Sequence, residues 1–172
     1  MKEILVLSDT HQNIKLLRKA IKKVKSDNIH ITHFFHLGDN YEDIEENYDL
    51  TDNKIILRVP GIYHNKYLDG SLPKFKKITI HHWNFLLLHS LDDLPDNYEN
   101  IDLVCFGHTH EAEVYKKQTT YFLNPGHLKS KNETTKPSYA VVDVSEETIY
   151  INIKTIDKEM IKSVIINRQQ ID

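Results

Sequence analysis

Six side chains that can bind metal ions stand directly after short apolar runs in this chain. They are Asp9, His11, Asp39, His89, His108 and His110. An apolar run that ends at a polar residue is typical of a buried strand reaching the edge of its sheet, where α/β proteins place their chemistry. Because the same placement follows several successive strands, we expect the six side chains to meet in one cleft. The sequence therefore predicts a binuclear metal site.

The ligand types indicate catalytic ions and not a structural zinc site. Carboxylate oxygen suits hard divalent ions, and imidazole nitrogen suits zinc and ions that resemble manganese or iron. Cys105 is the only cysteine, which excludes an internal disulfide framework and a thiolate metal cluster. The apolar neighbours of Cys105 predict a small core residue.

Two pairs of candidate ligands are separated by a single residue, as Asp9-x-His11 and His108-x-His110. Side chains two positions apart in an extended segment point to the same face, so each pair is expected to approach the ions from one side.

A glycine precedes two of the candidate ligands. Gly38 stands before Asp39, and Gly107 stands before His108. A residue without Cβ permits a sharp turn, and we expect each glycine to turn its ligand back into the cleft.

The first third of the chain alternates strands with helices, a pattern that predicts parallel βαβ units. The helix over 13–27 has apolar residues at helical spacing, and Asn13 is a plausible cap. The predicted elements are a strand at 3–8, the helix at 13–27, a strand at 32–37, a short acidic helix at 41–47 and a strand at 54–59.

After residue 73 the pattern changes to strands with short connections. A hairpin turn is predicted at 82–84 and a polar loop at 129–137. The last stretch, 156–172, is predicted to be a strand followed by a frayed tail. The other predicted strands are 74–80, 84–89, 101–106, 112–118, 120–124, 138–144 and 147–156.

Composition limits the class of protein. With 172 residues, 40% of them apolar and 27% charged, the sequence predicts one globular domain over residues 1–172. No run approaches the length of about 18 apolar residues that spans a bilayer. A net charge of −3 does not indicate the basic surface that nucleic-acid binding requires. The opening residues lack the apolar core of a signal peptide, so we expect a cytoplasmic protein without membrane contact.

The order of the motifs resembles the calcineurin-like metallophosphoesterase superfamily. D-x-H at Asp9 is followed by G-D at Asp39, a lone His89 after a strand, G-H-x-H at His108, and N-P-G ending at Gly126. The chain looks most similar to the small single-domain bacterial and archaeal phosphodiesterase branch. The resemblance implies an α/β fold with α+β character, a four-layer sandwich of two mixed β-sheets flanked by helices.

The resemblance also implies a role for each ligand. It implies Asp9, His11 and His110 on one ion, His89 and His108 on the other, and Asp39 bridging both. The implied cofactor is a pair of divalent ions, with Mn²⁺ expected first and Ni²⁺, Zn²⁺ or Fe²⁺ as alternatives. Two ions about 3.5 to 4 Å apart can generate hydroxide from water and stabilise the charge of an in-line displacement. The expected substrate is a phosphodiester or a small phosphomonoester.

One motif departs from the family pattern. The family has Gly-Asn-His-Asp or Gly-Asn-Cys-Asp after the third strand, where this chain has Gly61-Ile62-Tyr63-His64-Asn65. Ile62 occupies the position of an asparagine ligand and cannot coordinate an ion. Tyr63 occupies the position of a general acid, so Tyr63, His64 and Asp39 are the candidate catalytic residues. His64 or Asn65 is a candidate replacement ligand; otherwise the second ion is held weakly.

Two further histidines lie close to the motifs. His36 precedes the Gly38-Asp39 pair and is a candidate to contact a metal ligand without binding the ion itself. His127 follows the N-P-G motif, where the branch usually has serine, and is a candidate phosphate contact.

A second function remains open. The superfamily includes a retromer scaffold subunit that acts mainly as a binding surface, and the altered loop at 61–65 would suit such a metal-binding interaction module. Because the six other ligand positions are intact, the enzyme is the favoured interpretation. Exposed β-rich edges also allow a homodimer.

Overall fold

Two mixed β-sheets packed face to face form the body of the protein. The structure is a computed structural model, and it describes residues 1–27, 29–51, 53–129 and 135–168. Apolar side chains of both sheets, such as Val6 and Phe35 from one and Phe85 and Leu123 from the other, form the core between them. Burial of this apolar surface holds the two sheets together.

The first sheet has six strands in the order β11-β10-β9-β1-β2-β3. Strands β1, β2 and β3 are parallel to one another. Strand β9 pairs antiparallel with β1, β10 with β9, and β11 with β10. The predicted parallel βαβ opening is therefore confirmed. The strands are β1 Lys2–Leu7, β2 Ile31–His36, β3 Ile55–Arg58, β9 Ser138–Val144, β10 Thr148–Thr155 and β11 Met160–Asn167.

The second sheet has five strands in the order β4-β5-β6-β8-β7. Strands β5, β6 and β8 are parallel, whereas β4 and β7 are joined to the sheet by antiparallel hairpins. The strands are β4 Phe75–Ile80, β5 Trp83–Leu88, β6 Leu103–Cys105, β7 Ala112–Lys117 and β8 Thr120–Pro125.

Helix α1, Ile14–Ser26, covers the outer face of the six-stranded sheet. Its N-terminus is capped as predicted, because the Asn13 side chain accepts a hydrogen bond from the main-chain N–H of Leu16. Leu17 and Ile21 are buried against Phe34 of β2. The outer face of the five-stranded sheet is covered instead by the segment 91–98, which begins with a 3₁₀ turn at Leu91–Asp93.

The sandwich of two mixed sheets agrees with the predicted fold class, and several local elements differ. The acidic helix expected at 41–47 is a 3₁₀ turn, Glu45–Asn47, followed by the short helix α2, Tyr48–Thr51. A third short helix, α3, spans Asn65–Leu68. The β4–β5 hairpin turns one residue earlier than predicted, at two histidines with left-handed backbone. The predicted strand in the last stretch is β11, whereas the predicted tail lies outside the described residues.

No helix in the described part of the chain is long and apolar enough to cross a bilayer.

The parallel strands of both sheets direct the candidate ligands to one place. β1 and β2 end just before Asp9 and Asp39, and β5 and β6 end just before His89 and His108. The carboxyl ends of parallel strands lie at one edge of their sheet, which is where binding sites form. The two sheets therefore each supply one half of the site.

His36, the last residue of β2, is fully buried below this edge. Neither ring nitrogen forms a hydrogen bond with any residue that the structure describes. Burial lowers the pKa of His36 to about 4, although the carboxylate of Asp9 acts in the opposite direction. The ring is therefore neutral in the folded protein at neutral pH.

We predict that His36 makes the metal-free protein less stable in acid. The folded pKa lies below the ordinary value of 6.5, so the unfolded chain binds the extra proton between pH 6.5 and about 4. Stability is therefore lost as the pH falls through this window, by up to roughly 3 kcal/mol from this group. Urea titrations in EDTA should show a shallower pH dependence for His36→Leu. The exposed His30→Leu control should keep the wild-type slope, and an unchanged slope in His36→Leu would contradict the prediction.

Candidate metal centre

Asp9 presents one oxygen to the protein and the other to the site. Its Oδ2 accepts hydrogen bonds from Ser8 Oγ at 2.5 Å and from the main-chain N–H of His108 at 3.0 Å. Its Oδ1 is buried, accepts no hydrogen bond from the described residues, and lies 3.1 Å from His110 Nε2. Burial raises the pKa of Asp9, but the interactions with His110, His89 and Ser8 outweigh it and leave the pKa below its ordinary value. The carboxylate is thus charged, with one oxygen available to a cation.

Asp39 lies between two histidines that come from different sheets. Its Oδ2 is 2.6 Å from His11 Nε2, and its Oδ1 is 3.2 Å from His89 Nε2. Each carboxylate oxygen therefore faces a different imidazole. Asp39 thus contacts one histidine from each half of the site.

The orientation of His89 is fixed by the main chain. His89 Nδ1 donates a hydrogen bond to the carbonyl oxygen of Leu37 at 2.7 Å, so in the neutral ring Nε2 carries the lone pair. That Nε2 is buried, without a well-formed hydrogen bond among the described residues, and it faces the Asp39 carboxylate. Burial lowers the pKa of His89, but the carboxylates of Asp39 and Asp9 raise it by a larger amount, so the pKa lies above its ordinary value. Two electron-pair donors that face each other require a cation or a proton between them.

Four of the predicted ligands form a compact group. One ligand atom from each of Asp9, His11, Asp39 and His110 lies within 4.8 Å of all the others. His11 Nε2 and His110 Nε2 are 3.2 Å apart. Two nitrogens and two carboxylate oxygens, one of them buried and without a well-formed hydrogen bond among the described residues, fit a divalent cation.

The other two predicted ligands lie beside this group. The rings of His89 and His108 are in edge contact, with centroids 5.2 Å apart, and His108 is exposed to solvent. The structure thus brings all six predicted residues to one edge of the sandwich, in a group of four and an adjoining pair.

The prediction that the two ligand pairs lie in extended segments is wrong. Asp9, His11, His108 and His110 have φ angles of 51°, 45°, 69° and 62°, and φ of Asp39 is 60°. These residues lie in the left-handed region, which non-glycine residues seldom adopt and which costs on the order of 1–3 kcal/mol each. The ligand pairs converge because the chain turns sharply at each ligand.

The two glycines before ligands have different roles. Gly38 has a φ of 102°, as expected for a turn, and a Cβ there would lie 2.7 Å from His89 Nδ1. Gly107 does not have a left-handed backbone. A Cβ at Gly107 would lie 2.0 Å from Ser8 Oγ and 2.7 Å from Asp9 Oδ2. Gly107 therefore permits close approach of the two sheets, and the predicted turn role is corrected.

Polar side chains outside the predicted set hold both ligand turns. Asn124, in the N-P-G motif, donates from Nδ2 to the carbonyl oxygen of Gly107 at 3.0 Å and to Thr109 Oγ1 at 2.9 Å. Asp43 accepts hydrogen bonds at Oδ2 from Thr10 Oγ1 at 2.5 Å and from the main-chain N–H of Gln12 at 3.1 Å. Sequence reasoning missed Asp43, because nothing in the acidic stretch YEDIEEN distinguishes this carboxylate from its neighbours.

A cavity of about 540 Å³ opens beside the group of four ligands. Its walls combine two of the ligands with the loops that follow β2 and β3. The side chain of Tyr63 is 82% exposed at this cavity. The lining residues are His11, Asp39, Asn40, Glu42, Tyr63, His64, Asn65 and Lys66.

His64 caps a helix in this structure. Its Nδ1 accepts a hydrogen bond from the main-chain N–H of Lys66 at 3.2 Å, so Nε2 carries the hydrogen and donates to Glu42 Oε1 at 3.1 Å. His64 stands at the fourth position of the family motif, which has an aspartate there, and aspartate is also a preferred helix-capping residue. Asn65 is exposed at the start of α3. Neither residue belongs to the group of four ligands, which corresponds to the first ion, and a replacement ligand for the second ion at 64 or 65 stays a prediction.

His127 does not line this cavity. The ring is fully buried; its Nδ1 accepts a hydrogen bond from the main-chain N–H of Lys129 at 3.2 Å, and its Nε2 is 3.0 Å from Thr135 Oγ1. His127 also packs against His110, with ring centroids 5.5 Å apart. The ring anchors the local chain in this structure, and the phosphate contact at His127 stays a prediction.

The family model of the calcineurin-like phosphoesterase superfamily domain matches residues 1–147. The chain belongs to this superfamily. The motif order from Asp9 to Gly126 had indicated it, and the fold and the converging ligands agree. No curated protein matches the chain in sequence.

Several solved structures share the fold of this superfamily member. The phosphoesterase Yfce from E. coli superposes with a TM-score of 0.73 at 17% identity, covering 96% of this chain and 100% of its own. A novel archaeal phosphodiesterase gives 0.65 at 22% identity, covering 95% and 99%. Vps29 from Entamoeba histolytica, solved with Zn²⁺, gives 0.66 at 19% identity, covering 96% and 98%. At these identities the likeness shows the fold alone.

We predict that His64→Ala leaves the affinity for divalent metal nearly unchanged. The variant removes a helix cap and should lower stability by about 1 kcal/mol or less, because α3 is short and exposed. His64→Asn, which can cap the helix, should restore that stability. Calorimetric titration of both metal-free variants with Mn²⁺ tests this. A loss of affinity of about tenfold or more in His64→Ala would show instead that the imidazole is a ligand.

Proposed function

We propose that the chain is a metal-dependent phosphoesterase that hydrolyses phosphodiesters or small phosphomonoesters. The observation that carries the proposal is the convergence of Asp9, His11, Asp39 and His110, with the buried Oδ1 of Asp9 directed at the others. The superfamily to which the chain belongs is one of phosphoesterases, which agrees with this chemistry.

Two divalent ions are the proposed cofactor. Asp9, His11 and His110 would hold one ion, His89 and His108 the other, and Asp39 would contact both through its two oxygens. Such a pair supplies positive charge that lowers the pKa of water and offsets charge on a phosphoryl oxygen. Mixed carboxylate and imidazole ligands can hold Mn²⁺, the ion proposed first, and equally Ni²⁺, Zn²⁺ or Fe²⁺.

The two ion sites are proposed to differ in their affinity for the ion. The first site has the compact group of four ligands, whereas the second has two histidines and the shared carboxylate. Ile62 lies partly buried at the position of the family's additional ligand and offers no donor atom. Because affinity depends on the number and geometry of ligands, the second ion should bind more weakly.

The remaining cavity residues are proposed to bind and protonate the substrate. The volume of about 540 Å³ falls within the usual range for small-molecule sites, about 300–1,000 Å³. Tyr63, whose exposed side chain lines the cavity, is proposed to donate a proton to a leaving oxygen. Asn40, Asn65 and Lys66 offer polar contacts for the rest of the ester. We further propose a small cytoplasmic substrate and no nucleic-acid or membrane partner.

We predict that Asp39→Asn abolishes turnover. The change removes the one carboxylate proposed to offset the repulsion between both ions, and the rate should fall at least about 100-fold. Hydrolysis of a nitrophenyl phosphodiester with added Mn²⁺, against an EDTA control, measures the rate. Elemental analysis should show fewer than two ions. An Asp39→Asn variant with two tightly held ions and normal turnover would mean that the bridging role is wrong.

A second candidate function is a metal-binding interaction module without turnover. It is favoured by the loop at 61–65, where Ile62 replaces a ligand and the exposed Tyr63 offers a contact surface. The same nitrophenyl assay separates the candidates. A protein that binds Mn²⁺ by calorimetry but shows no metal-dependent hydrolysis of nitrophenyl mono- or diesters would be assigned to the second.

We predict that activity rises between about pH 6 and 8, because histidine ligands must be neutral to bind metal. Protons compete with the ion at His89, since Asp39 and Asp9 more than offset the effect of burial and raise its pKa. Metal content measured in parallel should fall on the acid side. A flat rate profile from about pH 5 to 8 at saturating metal would contradict this.

A further inference from the structure

We propose that Asp43 is a positioning residue for His11, which it holds in the geometry that metal binding requires. The inference rests on the metal site proposed above. Asp43 is four residues beyond Asp39, and its hydrogen bonds within the described part of the chain go to Thr10 and Gln12 and not to a predicted ligand. It acts on the turn that carries His11.

The contacts of Asp43 bracket His11 on both sides. A single oxygen, Oδ2, accepts hydrogen bonds from the side chain of Thr10 and from the main-chain N–H of Gln12. Asp43 is only 7% exposed and Thr10 is fully buried, so water competes poorly for these bonds. Both bonds exist only while the turn keeps its present shape.

That shape is one the turn would not adopt unaided. The φ angles of Asp9, His11 and Gln12 are 51°, 45° and 62°, and none of the three is glycine. Three left-handed residues within four positions persist only where surrounding contacts fix them. The carboxylate of Asp43 supplies such contacts at the very residues that flank the ligand.

Asp43 is itself held in place by β3. Arg58 Nη1 donates to the carbonyl oxygen of Tyr41 at 3.0 Å, and its guanidinium lies 4.1 Å from the centroid of the Tyr41 ring. Arg58 also forms an ion pair with Glu45. The loop from Asp39 to Glu45 is therefore braced at two points on either side of Asp43.

The loop that carries Asp43 also carries Asp39, so the hydrogen bonds of Asp43 connect the two loops that hold Asp39 and His11. Asp39 Oδ2 lies 2.6 Å from His11 Nε2, although the two residues follow different strands. By tying the His11 turn to the Asp39 loop, Asp43 sets the separation of these two ligands. Second-neighbour hydrogen bonds of this kind commonly alter metal affinity by 10- to 100-fold, roughly.

The test is the affinity of the metal-free protein for Mn²⁺, measured by calorimetry. Asp43→Ala should weaken binding about tenfold or more. Asp43→Asn should stay within about twofold of wild type, because an amide oxygen can accept both hydrogen bonds. Thr10→Val, which removes one donor, should lie between them, and Thr10→Ser should resemble wild type. Glu46→Ala, a neighbouring exposed acid, is the matched control and should bind Mn²⁺ normally.

A double-mutant cycle distinguishes positioning from general support of the fold. In a His11→Ala background, Asp43→Ala should cost no further affinity, because the ligand it positions is gone. A merely structural role would lower the melting temperature in EDTA without coupling to His11. Wild-type affinity in Asp43→Ala, or an equal loss in both backgrounds, would overturn the proposal. If Asp43→Ala does not fold, the Thr10→Val and Thr10→Ser pair decides, and equal affinity in those two overturns it.

The failure of the metal site itself would look different. If the wild-type protein bound no Mn²⁺, Ni²⁺ or Zn²⁺, the proposed function would fail before any variant was compared. If wild type bound metal and Asp43→Ala bound it equally well, only the positioning role would fail.

Discussion

The site depends on a backbone constraint, because five of the six candidate ligands have left-handed φ angles. If the strand continued in an extended conformation, Asp9 and His11 would both project from one face of the sheet beyond its edge. The left-handed turns redirect both side chains toward the ligands of the five-stranded sheet. Each such residue costs on the order of 1–3 kcal/mol. The surrounding hydrogen bonds and the close glycine contacts offset that cost, and in this sense the loops are organised around the ligands.

The charge pattern of the site follows from the same convergence. Asp9 Oδ1 and His89 Nε2 are buried and poorly satisfied by protein donors, while the carboxylates of Asp9 and Asp39 lie close to several imidazoles. Buried electron-pair donors that face one another destabilise a fold unless a cation or proton lies between them. An ion that binds the folded chain but not the unfolded one contributes its binding free energy to stability. Metal binding and folding are thereby linked through the same few atoms.

Much of this arrangement could be predicted from the order of residues along the chain, because the predictions rested on local patterns. The spacing of Leu17 and Ile21 indicates α1, and the alternation of strands and helices indicates the parallel β1–β2–β3 unit. Ligand convergence follows from strands that end at one edge. Asp43 and His64 could not be assigned this way, since their roles depend on partners supplied by other loops. The left-handed turns were also missed, because a D-x-H pattern carries no glycine to signal them.

Each sheet contributes three of the six ligands, so the site spans the seam between the two halves of the sandwich. The seam is filled by large side chains such as Phe35 and Phe85, whose rings meet edge to face with centroids 5.9 Å apart. Protein interiors are close-packed and transmit small displacements. A change of volume at Phe35 or Phe85 would shift one sheet relative to the other and alter ligand distances at the rim. The packing of the core therefore has two consequences: it holds the two sheets together, and it sets the distance between the two halves of the candidate metal centre.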